Sequence, residues 1–110
     1  MDENIKAPLD NLIDICNRYK RDELDVLAFQ KELETVYLPP QTSEELSMEQ
    51  RDVHNHLEIL RFTHTVEHHK AIAEPFADLL IAETLKEMER LSTYTPYATL
   101  ENSLNKIENF

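Results

Sequence analysis

Five histidines lie within sixteen residues of this 110-residue chain: His54, His56, His64, His68 and His69. They are the side chains best suited to hold a transition metal or to move a proton near neutral pH. His64 and His68 are four residues apart, so on a helix their imidazoles share one face. With Glu67 they spell His-x-x-Glu-His, an order in which two histidines bind zinc and the glutamate serves as general base. A catalytic zinc needs three protein ligands and an open position, and the local sequence supplies only two. A chain this short also has little room for a substrate cleft and its supporting shell. The reading is therefore no metal, no cofactor and no catalytic residue, with the histidines solvated or partly packed on a helix. Their full protonation would move the formal charge from −11 to about −6, since each has an ordinary pKa near 6.5, so any charge-driven interaction would vary with pH.

Other chemistries are poorly served. The chain has no glycine, and phosphate-cradling loops and the nucleophile elbow of serine hydrolases both depend on it. Ser43, Ser47, Ser92 and Ser103 sit at expected caps, loops or the last helix. Carboxylates are abundant, and nothing in the sequence sets one apart as an acid or base. The only basic cluster is Arg18, Lys20 and Arg21, too little for a surface that tracks a phosphate backbone, so no direct contact with nucleic acid is expected. Cys16 has no partner for a disulfide and lies among Leu12, Ile13 and Tyr19, the setting of a small buried hydrophobe. No apolar run approaches the roughly 18 residues that span a bilayer. The acidic start, Met1-Asp2-Glu3-Asn4, lacks the basic and apolar regions of a secretory leader. No membrane association and a cytoplasmic location are expected.

The elements that must carry these residues are helices. Missing glycine also disfavours two-residue hairpins, and the apolar residues recur at 3.6-residue spacing. Leu9, Leu12, Ile13, Cys16 and Tyr19 predict a first helix over 8–20 that starts at Pro8. Asp25 caps a second over 26–37, with Val26, Phe29, Leu33, Val36 and Tyr37 inward and Pro39-Pro40 ending it. Residues 39–46 read as a loop. Ser47-Met48-Glu49-Gln50 reads as a capping box for a third helix over 48–72, where Val53, Leu57 and Leu60, then Ile59, Phe62 and Val66, keep helical spacing. Pro75 opens a fourth, with Phe76, Leu79, Leu80, Thr84, Leu85, Met88 and Leu91 inward. Thr95-Pro96 starts a short last helix carrying Leu100, Leu104 and Ile107. The expected fold is all-α: one domain over 1–110, a small antiparallel four-helix bundle with an additional short C-terminal helix.

Charge is unevenly spread. Residues 23–49 hold seven acids against Lys31, a net −6, and residues 71–92 hold five acids against Lys86 and Arg90, a net −3. Residues 50–70 are balanced. Such blocks either keep a helical surface soluble or steer association with a basic protein.

The first two helices also resemble a known family. The run Leu12-Ile13-Asp14-Ile15-Cys16-Asn17-Arg18-Tyr19, the charged turn Arg21-Asp22-Glu23-Leu24 and then Ala28-Phe29-Gln30-Lys31-Glu32-Leu33 are similar to the opening of the colicin D immunity proteins and their bacterial self-protective relatives. The resemblance implies a small acidic helical bundle that occludes the active site of a cognate toxin, in the type case a nuclease that cleaves transfer RNA. Carboxylates on rigid helices can fill a groove built for phosphates. On that reading the binding face is helix two and the loop after it: Glu32, Glu34, Glu44, Glu45, Glu49 and Asp52, with Tyr37 either anchoring the rim or sitting in the core. The alternative is a structural or adaptor bundle, associating through an apolar seam as a homodimer, with acidity serving solubility alone. Oligomeric state is not legible in the sequence.

Overall fold

The computed structural model describes residues 1–93, which form four α-helices and, among these residues, no strand. They are α1 (Glu3–Lys20), α2 (Val26–Glu34), α3 (Glu44–Thr63) and α4 (Val66–Thr93). The expected C-terminal helix lies outside the described residues. Among those described, no helix is long and apolar enough to cross a membrane.

Helix α1 begins five residues before Pro8, because the Asp2 carboxylate accepts the Asn4 N–H at 3.0 Å and caps it there. Pro8 is carried inside, where the loss of one backbone donor is outweighed by burial of Leu9, Leu12, Ile15, Cys16 and Tyr19. The helix ends in a Schellman arrangement: Glu23 N–H donates to the Arg18 carbonyl at 2.8 Å and Asp22 N–H to that of Tyr19 at 3.0 Å. This turn needs a left-handed residue. In a chain without glycine, Asp22 takes it, at φ 65°. The Lys70 ammonium, from α4, donates to the Tyr19 and Lys20 carbonyls at 3.1 and 3.0 Å and to the Asp22 carboxylate, so a cation closes the negative end of α1.

Asp25 caps α2 as its sequence predicts, accepting the Ala28 N–H at 2.7 Å. The helix stops at Glu34, not at 37. The Thr35 hydroxyl donates to the Glu32 carbonyl at 2.7 Å, a side-chain bond that competes with helix continuation. Val36 stays buried, but Tyr37, beyond the last turn, is 83% exposed and leaves the core. Helix α3 starts at Glu44 rather than 48. Ser43, not Ser47, is its cap, accepting the Leu46 N–H at 3.3 Å, and the earlier start buries Leu46. Gln50, freed from the expected box, donates to the Leu33 and Val36 carbonyls at 3.0 and 3.1 Å and satisfies the end of α2.

The break expected at Pro75 falls instead at His64-Thr65. His64 is extended (φ −133°, ψ 153°), and its N–H still reaches the Leu60 carbonyl at 3.1 Å. The Thr63 hydroxyl turns back to the Ile59 carbonyl at 2.8 Å. Pro75 sits on the exposed side of α4, while Ala73, Ala77 and Leu80 on either side of it are fully buried and hold the helix together. Reversal at 64–65 lets α4 return along α3, and the same change turns Ile59, Phe62 and Val66 outward. Leu79 and Leu85, read as inward, are also exposed.

The helices form a square. Helix α1 packs on α2 and α4, α3 packs on the same two, and α1 and α3 lie diagonally opposite. Neighbours run antiparallel: Arg18 pairs with Glu32 while Tyr19 stacks on Phe29, and His56 stacks on Phe76 while Ser43 meets Glu87. The core is Leu9, Leu12, Ile15 and Cys16 of α1, Phe29 and Leu33 of α2, Val53 and Leu57 of α3, and Ala77 and Leu80 of α4, with Tyr19 stacked on Phe29 at a centroid distance of 4.5 Å. Gln30, 4% exposed, joins α2 to α3 by donating to Glu58 at 3.2 Å and accepting from Arg61 at 2.9 Å.

Candidate partner-binding site

The histidines do not share a face. His64 is the extended cap of α3 and His68 lies in the first turn of α4, so the chain reversal separates the pair that sequence spacing placed one turn apart. His69 Nε2 meets the His64 carbonyl at 3.0 Å, and His64 Nδ1 meets the Thr63 hydroxyl at 2.8 Å. His54 pairs with Glu34 at 3.0 Å, and His56 lies on the Phe76 ring with centroids 4.9 Å apart. Among the described residues no group of three or more His, Cys, Asp or Glu side chains is placed to hold a metal ion. Cys16 is fully buried, and burial first, then Asp78, push its thiol up to about 12, against the pull of Lys20. That leaves no thiolate for nucleophilic chemistry.

The acidic residues read as one face are divided. Glu32 and Glu34 lie on opposite flanks of α2: Glu32 faces α1 and takes Arg18 at 3.2 Å, and Glu34 faces α3 and takes His54 at 3.0 Å. Both are thereby engaged within the fold, Glu32 by a guanidinium and Glu34 by an imidazole. Tyr37 stands free of the helix at the rim of a shallow depression with Ala7, Pro8 and Asn11. The remaining four are on α3. Glu44 and Glu45 occupy its first turn, at the positive end of the helix dipole. Glu45, Glu49 and Asp52 follow one another at i, i+4 and i+7, which places them along one stripe of α3.

Helix α4 completes this stripe. Glu45 lines a depression of about 370 Å³ with Glu83, Lys86, Glu87 and Glu89. Glu49 is half-buried, and its carboxyl is pushed above the usual 4.5 by burial first, then by Asp52 and Glu83, against the opposing effect of His56. Among the described residues, Glu44, Glu45, Glu49 and Asp52 form no ion pair, while Glu83 has only Lys86 at 3.5 Å. The result is a ridge of crowded carboxylates along the α3–α4 seam. Sequence reading selected its α3 half but missed Glu83, because the register between α3 and α4 follows from the reversal at 64–65.

Glu87 belongs to the same seam but does different work. It is 5% exposed, accepts the Ser43 N–H at 2.6 Å, and takes both Nη2 and Nε of Arg90, at 2.7 and 3.0 Å. Arg90 in turn donates to the Gln41 carbonyl at 2.9 Å. Glu87 therefore fixes the loop that starts α3, and with it the direction of the first acidic turn. The chain matches no protein-family model, no curated protein and no solved structure.

Proposed function

We propose that this chain acts by binding, presenting the Glu45–Glu49–Asp52 ridge and Glu83 to a basic surface of another protein. The observation that carries the reading is the run of Glu45, Glu49 and Asp52 along one stripe of α3, none of them in an ion pair among the described residues. Burial first, then Asp52 and Glu83, raise the Glu49 carboxyl, with His56 opposing, so a cationic partner would meet carboxylates that already repel one another. The resemblance of the first two helices to colicin-type immunity proteins supplies the class of partner. On this reading the chain is a bacterial, cytoplasmic inhibitor that occludes the basic active-site groove of a cognate toxin, a nuclease in the type case. The ridge would stand where the nucleic-acid phosphates lie.

The test is binding to the toxin encoded beside this chain, measured by titration calorimetry across a salt series. Reversal of the ridge (E45K, E49K and D52K together) should weaken binding by about a hundredfold or more and flatten its salt dependence. E32K, on the opposite flank of the bundle, should change affinity by no more than about threefold. Affinity and salt dependence unchanged in the ridge variant would reject the assignment.

A further inference from the structure

A second surface lies at the far end of α3. Phe62 is 76% exposed, Val66 79% and Ile59 59%, with Leu27 of α2 38% exposed nearby. Single exposed apolar residues are ordinary on a soluble chain, whereas neighbouring ones mark an interaction site. Beside Phe62 is a depression of about 210 Å³ lined by Asp25, Val26, Leu27, Arg61, Val66 and His69. Knob and hole thus sit side by side on one surface, the requirement for a twofold contact in which each copy gives what the other receives. Arg61 joins them: its guanidinium carbon lies 5.2 Å from the Phe62 ring centroid, and its side chain also lines the depression.

Charge selects the occupant. In a twofold contact the same patch is presented by both copies, so a patch of net charge repels its counterpart, and a chain of net −11 repels itself wherever acids dominate. Residues 50–70 hold Arg51, Arg61 and Lys70 against Asp52, Glu58 and Glu67, and sum to zero. The depression beside Ile59, Phe62 and Val66 is itself lined by one acid, Asp25, and one base, Arg61, besides His69, so the apolar patch is also locally balanced. A basic partner gains little here and is drawn to the α3–α4 ridge, about 25 Å away along α3 from Phe62 to Glu45 at 1.5 Å per residue. We propose that the chain forms a twofold homodimer in which Phe62 of each copy enters the Val26–Leu27–Arg61–Val66 depression of the other. The contact rests on a few side chains of each copy, so the dimer is expected to be a reversible one of about micromolar dissociation constant. The ridge remains free in it, so this inference does not depend on the proposed partner.

Sedimentation equilibrium of the full, untagged chain over about 5 to 500 µM tests it, a range spanning the expected constant. The wild-type mass should rise from that of the 12.9 kDa monomer toward twice that value. F62E should remain monomeric throughout, with an unchanged helical circular-dichroism spectrum because Phe62 is not part of the core. L85E, at an exposed leucine of α4 away from the depression, should dimerise like wild type. A wild-type chain monomeric at every concentration would overturn the proposal, as would a dimer that F62E leaves intact. The first result would leave another protein or residues 94–110 as occupant of the patch.

Discussion

Replacing Glu87 tests how the α3 start is held. Its carboxylate makes a charge-assisted bond to the Ser43 N–H and an ion pair with Arg90, whose side chain is 48% exposed. A hydrogen bond to a charged group contributes about 1.5–3 kcal/mol, and a pair with one half-exposed partner adds under about 1 kcal/mol. Glu87→Ala removes both and should cost about 2–4 kcal/mol, whereas Glu87→Gln keeps an acceptor for Ser43 and should cost about 1–2 kcal/mol. Against a total of about 5–15 kcal/mol, either loss is visible as an earlier urea midpoint. The pH dependence is the sharper readout. The Arg90 contact first, then the bonds from Ser43, hold the Glu87 carboxyl below its usual 4.5 despite burial. A carboxyl with a lowered folded pKa stabilises fully above the unfolded value and loses that contribution as pH falls through the folded one. The gap between wild type and Glu87→Gln should therefore be full above about pH 5 and close as pH falls below the usual 4.5 and through the lowered folded value. A gap absent at pH 7, or constant across the range, would refute this account.

Two further outcomes follow from the core. Phe29→Ala removes a fully buried ring and its stack on Tyr19, and should cost about 3–5 kcal/mol in urea unfolding; a loss under about 1 kcal/mol would mean that this contact is not central to the core. Cys16, with its thiol pushed up to about 12, should resist a thiol-specific reagent in the native chain and react once per chain in denaturant. Rapid native labelling would contradict its burial.

The all-helical class, the Asp25 cap and the burial of Cys16, Phe29, Leu57 and Leu80 were legible in the sequence because each depends on residues within a turn or two of one another. Apolar spacing, a capping side chain and the absence of glycine act locally. Part of the candidate site was legible for the same reason: Glu45, Glu49 and Asp52 share a stripe by helix geometry alone. The separation of Glu32 from Glu34 was also implicit, since residues two apart on a helix point about 200° apart.

The tertiary structure decided where the helices start and stop. Pro75 and Ser47 carry strong local signals for a helix start, yet Ala73, Ala77 and Leu80 pack α4 through the proline, and Glu87 and Leu46 favour the cap one turn earlier, at Ser43. Lys70 closes α1 from fifty residues away in sequence. Moving the reversal to His64-Thr65 split the histidine pair, set Glu83 beside Glu49, and exposed Phe62. Local signals offer several helix ends of nearly equal cost, and the choice among them falls to whichever register buries the most apolar surface while satisfying the freed backbone groups.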